Sequence, residues 1–243
     1  MGRAASLLAE RRAAAFVGVG ACVLAWFIAA PHLPRPGLWP DIVIVSVAVL
    51  PVTLLLVYLA LPLAGTSWQP LLAATAVLTL LAFAFSEAGW GLAANFAKLW
   101  AAAGAGWLFL TLFEQLSWVV IVAVVVPFVD AVSVWRGPTH AITSHHFGIY
   151  TAVSIAFVVP GGGAAYLGPP DILFYGLFLA AAQRWGLRTG WSWIGTTGMY
   201  GLTIVLANAA DVSGLPALPF LSFGFLAANG DLLWARLRRP AEP

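Results

Sequence analysis

The run WVVIVAVVVPFVD, Trp118 to Asp130, holds twelve uncharged residues and then an aspartate. With its flanks it makes an apolar segment of 115–135, long enough to cross a hydrocarbon core of about 30 Å. Similar runs recur along the 243-residue chain, which is 62% hydrophobic and 8% charged. A soluble domain carries about 25% charged residues, so the solvent of this chain is lipid. Backbone in lipid must satisfy its own hydrogen bonds, and long apolar runs rich in Ala, Leu and Gly then read as helices rather than a barrel. The expected fold is all-α: one polytopic membrane domain over 1–243, with N-terminal helices in 1–114 and a second set in 115–235.

About eight spans are expected, at 14–31, 41–64, 70–86, 91–113, 115–135, 168–185, 190–210 and 215–235. Trp39, Trp68, Trp90, Trp118, Trp135 and Trp191 stand near their ends, as in interfacial belts. The basic leader before the first run precedes an apolar stretch longer than a signal peptide core, so an uncleaved first span is expected. Arg3, Arg11 and Arg12 precede that span, Arg184 and Arg188 follow the sixth, and Arg236, Arg238 and Arg239 follow the last. With eight spans these groups share one side, read as cytoplasmic. That assigns the C-terminus to the cytoplasm and the 136–167 loop to the outside. Within the loop, 147–159 is too short to span and reads as an interfacial or re-entrant segment, or a strand.

Composition excludes several classes. Cys22 is the only cysteine, so no disulfide framework or cysteine metal site is expected. A net charge of +2, concentrated at the chain ends, gives no nucleic-acid surface. His140, His145 and His146 crowd the loop without a thiol or carboxylate beside them and read as solvated; no metal or other cofactor is expected. Gly104 and Gly106 read as sites of close helix packing, Asn208 and Asn229 as interhelical hydrogen-bonders, and Lys98 as snorkelling.

Of nine acidic residues, most lie where water is expected. Glu10 and Glu242 are in tails. Asp41, Glu87, Glu114 and Asp211 stand at span ends, and Asp231 lies about one turn from Arg236. Asp130 and Asp171 differ. Asp130 is about five residues, or roughly 7–8 Å, inside its span. Asp171, in YLGPPDILFYG (Tyr166–Gly176), is about one turn inside the next. One loop joins the two spans, so both acids fall at the same end of antiparallel neighbours. Intramembrane carboxylates are costly and carry a functional hypothesis by default. Two facing carboxyls can share one proton, holding one acid and one base. That arrangement can activate water against a peptide carbonyl. The alternative is that both aspartates only lock the bundle.

Three motifs occur in order: VDAVSVWRGPT (Val129–Thr139), LGPPDILFYG (Leu167–Gly176) and LPALPF (Leu215–Phe220). Together they resemble the presenilin and signal peptide peptidase family of intramembrane aspartic proteases, in its prokaryotic-type form. The resemblance covers about 115–235. It implies a presenilin-like bundle, usually of nine spans, with Asp130 and Asp171 as catalytic aspartates. It further implies that Gly168, Pro169 and Pro170, with Pro216, Ala217 and Leu218, shape the substrate site. Substrate in the family adds as a strand near the second catalytic helix, and Thr151–Val159 is the expected partner. Two positions depart from the family pattern: its Tyr before the first aspartate is Val129, and its glycine before the second is Pro170. Proline fixes φ and suits a helix's first turn, so it either sharpens the helix start or restricts the motion aligning the dyad.

The expected activity is therefore endopeptidase cleavage of transmembrane segments or remnant signal peptides in a prokaryotic cell membrane. The implied partners are transmembrane-helix substrates and the bilayer, with self-association into a homo-oligomer also open. The competing readings are a pseudoprotease that binds membrane helices and a proton-coupled transporter.

Overall fold

The computed structural model describes residues 2–136, 147–212 and 215–238. The chain is mostly helical there. Five helical stretches among the described residues are long and apolar enough to cross a membrane: Leu7–His32, Leu38–Gly65, Trp68–Glu87, Leu116–Arg136 and Leu218–Leu237.

In chain order, α1 (Gly2–Ala29) leads through a short turn to α2 (Leu38–Ile44). A π turn at Val45–Val49 carries α2 into α3 (Leu50–Leu59). Pro51, in the first turn of α3, has no N–H to return to the preceding turn, and the backbone is widened there. Next come α4 (Trp68–Glu87), α5 (Gly91–Thr111) and α6 (Leu116–Arg136). A short α7 (Phe147–Val153) precedes strands β1 (Ile155–Val158) and β2 (Ala164–Leu167). The chain ends in α8 (Pro169–Arg184), α9 (Thr189–Ala209) and α10 (Leu218–Leu237).

Helices α5, α8 and α9 stand where spans were expected but fall outside the five. Two have identifiable reasons. The 16 residues of α8 reach only about 24 Å, less than a hydrocarbon core. Helix α9 is diluted by Ser192, Thr196, Thr197 and Thr203, all buried against neighbours. Hydroxyls turned into a bundle lower a helix's hydropathy without exposing it to lipid.

The core gathers around α8. Nine of its residues are buried, from Ile172 to Ala182, and a helix apolar on every side belongs inside a bundle. It packs most closely on α5. A Cβ added to Gly106 would lie 2.1 Å from the Leu173 carbonyl oxygen, and one on Gly176 would lie 3.0 Å from that of Ala103. Helices α9 and α10 meet the same way through Gly195 and Gly224. Gly104 packs against Thr75 of α4, so both glycines expected to allow close packing do so. Helix α6 is different. It leans on α10 and barely touches α8, and only Leu116, Val119 and Ala123 are buried.

The 147–159 segment divides in two. Helix α7 takes its first half, and the expected strand is confined to β1. That strand pairs antiparallel with β2, Ile155 opposite Leu167 and Val158 opposite Ala164. The turn between them holds Gly161 and Gly162 at φ of 76° and 82°, a conformation glycine adopts without a Cβ penalty.

Candidate active site at the start of α8

Strand β2 delivers the chain directly to Gly168, the N-cap of α8, so Pro169, Pro170 and Asp171 occupy N1, N2 and N3. The first turn of a helix has N–H groups without intrahelical partners. Proline at N1 and N2 removes two of them. The Asp171 carboxylate accepts the Gly168 N–H at 2.9 Å, and the Asp171 N–H donates to the Gly168 carbonyl at 3.1 Å. From α9, the buried Tyr200 hydroxyl donates to the Asp171 carbonyl at 2.6 Å. Gly168 has φ −68° and ψ 155°, open to any residue. What its missing side chain leaves clear is the space beside the carboxylate, since a Cβ would stand 3.4 Å from Asp171 Oδ2.

Asp130 comes from the loosely seated α6, in its last two turns. Its Oδ2 accepts the Leu218 N–H at 3.0 Å, with the Ala217 backbone beside it. Leu218 opens α10 and Ala217 is its N-cap. Both carboxylates thus meet the positive end of a helix dipole, Asp171 on its own helix and Asp130 on α10. The Pro216, Ala217 and Leu218 segment is thereby tied to Asp130.

The aspartates interact through charge, but no hydrogen bond joins their carboxyl groups. Each spends one oxygen on a backbone donor instead. Val129 is 61% exposed on the outer face of α6, away from these partners. Tyrosine hydroxyls reach the region from other elements. Tyr150 and Tyr200 both feel the charge of Asp171, and Tyr200 that of Asp130 as well. Tyr200 stacks on Tyr175 at 6.0 Å, and the Tyr175 hydroxyl bonds Thr197 at 3.0 Å. The sequence reading missed these tyrosines. Four of the chain's five lie in 150–200, the one signal that pointed to them.

The strand expected to receive a substrate is corrected. Thr151–Val153 is helical, and the outer edge of β1 is already taken. Asn95 of α5 donates to the Ala156 carbonyl at 2.9 Å and accepts its N–H at 2.7 Å, and the Trp26 indole donates to Val158 at 2.9 Å. Among the described residues, the other side of the two-stranded sheet, along β2, carries no further strand. Its Tyr166 carbonyl accepts the Tyr150 hydroxyl at 3.5 Å.

Three other acid and amide expectations change. Asp41 is 4% exposed and paired with Arg35 at 3.0 Å, not open to water. Asp231 is held by Arg188 through two contacts of 2.7 Å rather than by Arg236. Asn229 links α10 to Ser192 of α9 and to the Arg188 N–H, whereas Asn208 bonds only the Ile204 carbonyl of its own helix. His140, His145 and His146 lie outside the described residues. Compared with known proteins, the chain matches no family model, no curated protein and no solved structure.

Proposed function

We propose that the chain is an intramembrane aspartic endopeptidase with a presenilin-like bundle of about eight, or nine, spans. It would act in a prokaryotic cell membrane, its C-terminus in the cytoplasm. The observation that carries the reading is the juxtaposition of Asp130 and Asp171. They come from separate helices, interact through charge, and stand beside the backbone of Ala217 and Leu218. In the proposed reaction one carboxylate takes a proton from water as the water oxygen attacks the peptide carbon. The other carboxyl, protonated, donates to the carbonyl oxygen. Collapse of the tetrahedral intermediate returns a proton to the leaving amine and breaks the C–N bond. The dyad titrates as a pair, so kcat/KM is bell-shaped in pH. The outer edge of β2, which runs into Asp171, is the proposed seat for an unwound substrate strand.

A second reading has its own support. Both carboxylates already serve as helix caps, each accepting a backbone N–H, and no hydrogen bond joins them. A helix-binding protein that has lost peptidase activity would keep those caps.

Purified protein reconstituted with a reporter transmembrane substrate separates the two. A peptidase loses cleavage in both Asp130→Asn and Asp171→Asn; normal cleavage by either variant sinks the dyad mechanism. If the wild type is silent, cleavage by Pro170→Gly identifies the proline as the block. Continued silence with substrate still retained favours the binding protein.

A further inference from the structure

At the opposite end of α8 from Asp171, about 20 Å away by helix rise, two cavities adjoin. The first, of about 560 Å³, is the more polar of the two: Thr66, Thr111, Gln183 and Arg184 line it together with Trp68, Leu110 and Ala180. The second, of about 610 Å³, is an apolar groove between α1, α4 and α5. Thr66 and Trp107 line both. The groove follows α4 from Pro70 to Leu78, about 12 Å along the helix. Phe16, Val17 and Trp100 wall its far part.

Charge at this place has one sign. Arg184 lines the polar chamber and Arg12 the groove, and no acidic side chain lines either. The Arg12 guanidinium is occupied by the Leu59 and Tyr58 carbonyls. Arg184 spends one N–H on the Leu110 carbonyl at 3.0 Å, and its guanidinium lies 4.8 Å over the Trp185 ring. Those contacts hold the group at the chamber while leaving other donors of its fork unspent. Trp107, 4% exposed, lines both spaces, while its indole nitrogen is buried against Gly176 of α8.

A polar, cationic chamber opening into a narrow apolar groove has the form of one amphiphile. Neither a free anion nor a hydrocarbon alone fills both parts. Basic pockets between membrane helices accept anionic headgroups. We infer that this double cavity binds a phospholipid with an anionic headgroup. The phosphate lies at Arg184 with Thr66, Thr111 and Gln183 around it, and an acyl chain lies along α4. Bound there, the lipid fills the space between α4, which already packs on α5 but buries only Leu71, Thr75 and Ala82, and α1.

The test uses the full-length protein in neutral detergent, read by native mass spectrometry and thermal unfolding. Phosphatidylglycerol, phosphatidylcholine with the same acyl chains, and inorganic phosphate are added separately. The expected result is retention of phosphatidylglycerol with a raised melting temperature, and neither effect with the other two. Arg184→Gln lowers phosphatidylglycerol retention about tenfold, while Arg238→Gln, whose side chain stacks on Trp234 away from the cavities, leaves it unchanged. Ala74→Trp, which fills the groove, removes lipid retention in protein that still elutes as a folded species. Equal retention of both lipids overturns the headgroup assignment. A melting shift with phosphate equal to that with phosphatidylglycerol reduces the site to a free-anion site. Undiminished binding in Arg184→Gln overturns the location without recourse to the groove variant.

Discussion

Asn95→Leu tests whether the β-hairpin is latched to the helix bundle at one residue. Leucine keeps asparagine's branched skeleton of four side-chain heavy atoms and is bulkier, so the change removes hydrogen bonds without opening a cavity. Asn95 is 9% exposed, and its two bonds to Ala156 are short, at 2.9 and 2.7 Å. Their loss strands one N–H and one carbonyl on the outer edge of β1. Each stranded group costs about 1–3 kcal/mol when water cannot reach it. Burying the leucine offsets part of the sum, which leaves a predicted loss of about 2–4 kcal/mol. The hairpin feels it first, since among the described residues the Trp26 bond to Val158 is the remaining side-chain hydrogen bond to that edge. Hydrogen–deuterium exchange in detergent micelles should show the Ala156 amide exchanging roughly thirtyfold faster, the equivalent of about 2 kcal/mol. Because β2 runs straight into Gly168 and Asp171, turnover by the proposed peptidase should fall with it. Unchanged exchange at Ala156 would refute the latch. So would a loss of stability spread evenly over α5 and the hairpin, which would make Asn95 a helix-packing residue.

Three further outcomes follow from the same contacts. Gly106→Val should destabilise the fold by about 3 kcal/mol or prevent it, because even a Cβ there meets the Leu173 carbonyl at 2.1 Å and overpacking is not relieved by backbone; Gly198→Ala, with nothing within 4 Å, is the neutral comparison in the same thermal melt. Tyr200→Phe removes the donor to the Asp171 carbonyl and should cost about 1 kcal/mol; in the proposed peptidase it lowers kcat and leaves KM in place, and a change in KM alone would assign Tyr200 to substrate binding. Asp231→Asn should leave the melting temperature nearly unchanged, since its contacts with Arg188 are at the exposed surface and such pairs are weak and screened; a large drop would show that the pair ties the α8–α9 loop to α10.

The sequence shows the helices more clearly than what they surround. Expected spans at 70–86, 115–135 and 168–185 end within a few residues of Trp68–Glu87, Leu116–Arg136 and Pro169–Arg184, because apolar length and proline position act locally. The hairpin was half visible. β-branched residues marked β1, but β2 reads Ala-Ala-Tyr-Leu and carries no local signal; pairing with β1 makes it a strand. Asp41 was misread because a span end looks wet in one dimension, whereas Arg35 folds over it in three. Asp130 and Asp171 stood out since a carboxylate inside an apolar run is anomalous at any single position. Their actual partners did not. The Leu218 N–H is 88 residues from Asp130, and the Tyr200 hydroxyl is 29 from Asp171. No periodicity spans such separations.

The prolines before Asp171 acquire a physical meaning at the start of α8. The donors there are all accounted for. Those of N1 and N2 do not exist, the Gly168 N–H goes to the Asp171 carboxylate, and the Asp171 N–H goes back to Gly168. Pro170 is exposed and gives up no packing, so the pair costs the fold little while fixing φ where a helix wants it. Glycines at the same positions would offer two N–H groups at the mouth of the helix and a looser approach to Asp171. The chain has exchanged those donors for a rigid start. In the proposed reaction a substrate carbonyl must then find its hydrogen bonds elsewhere, and the backbone nearest to hand is the outer edge of β2 and the segment of Ala217 and Leu218. Leu218 already donates to Asp130. A substrate that drew that N–H away would release Asp130 from its cap, and α6, held mainly by α10, is the helix with freedom to carry it toward Asp171.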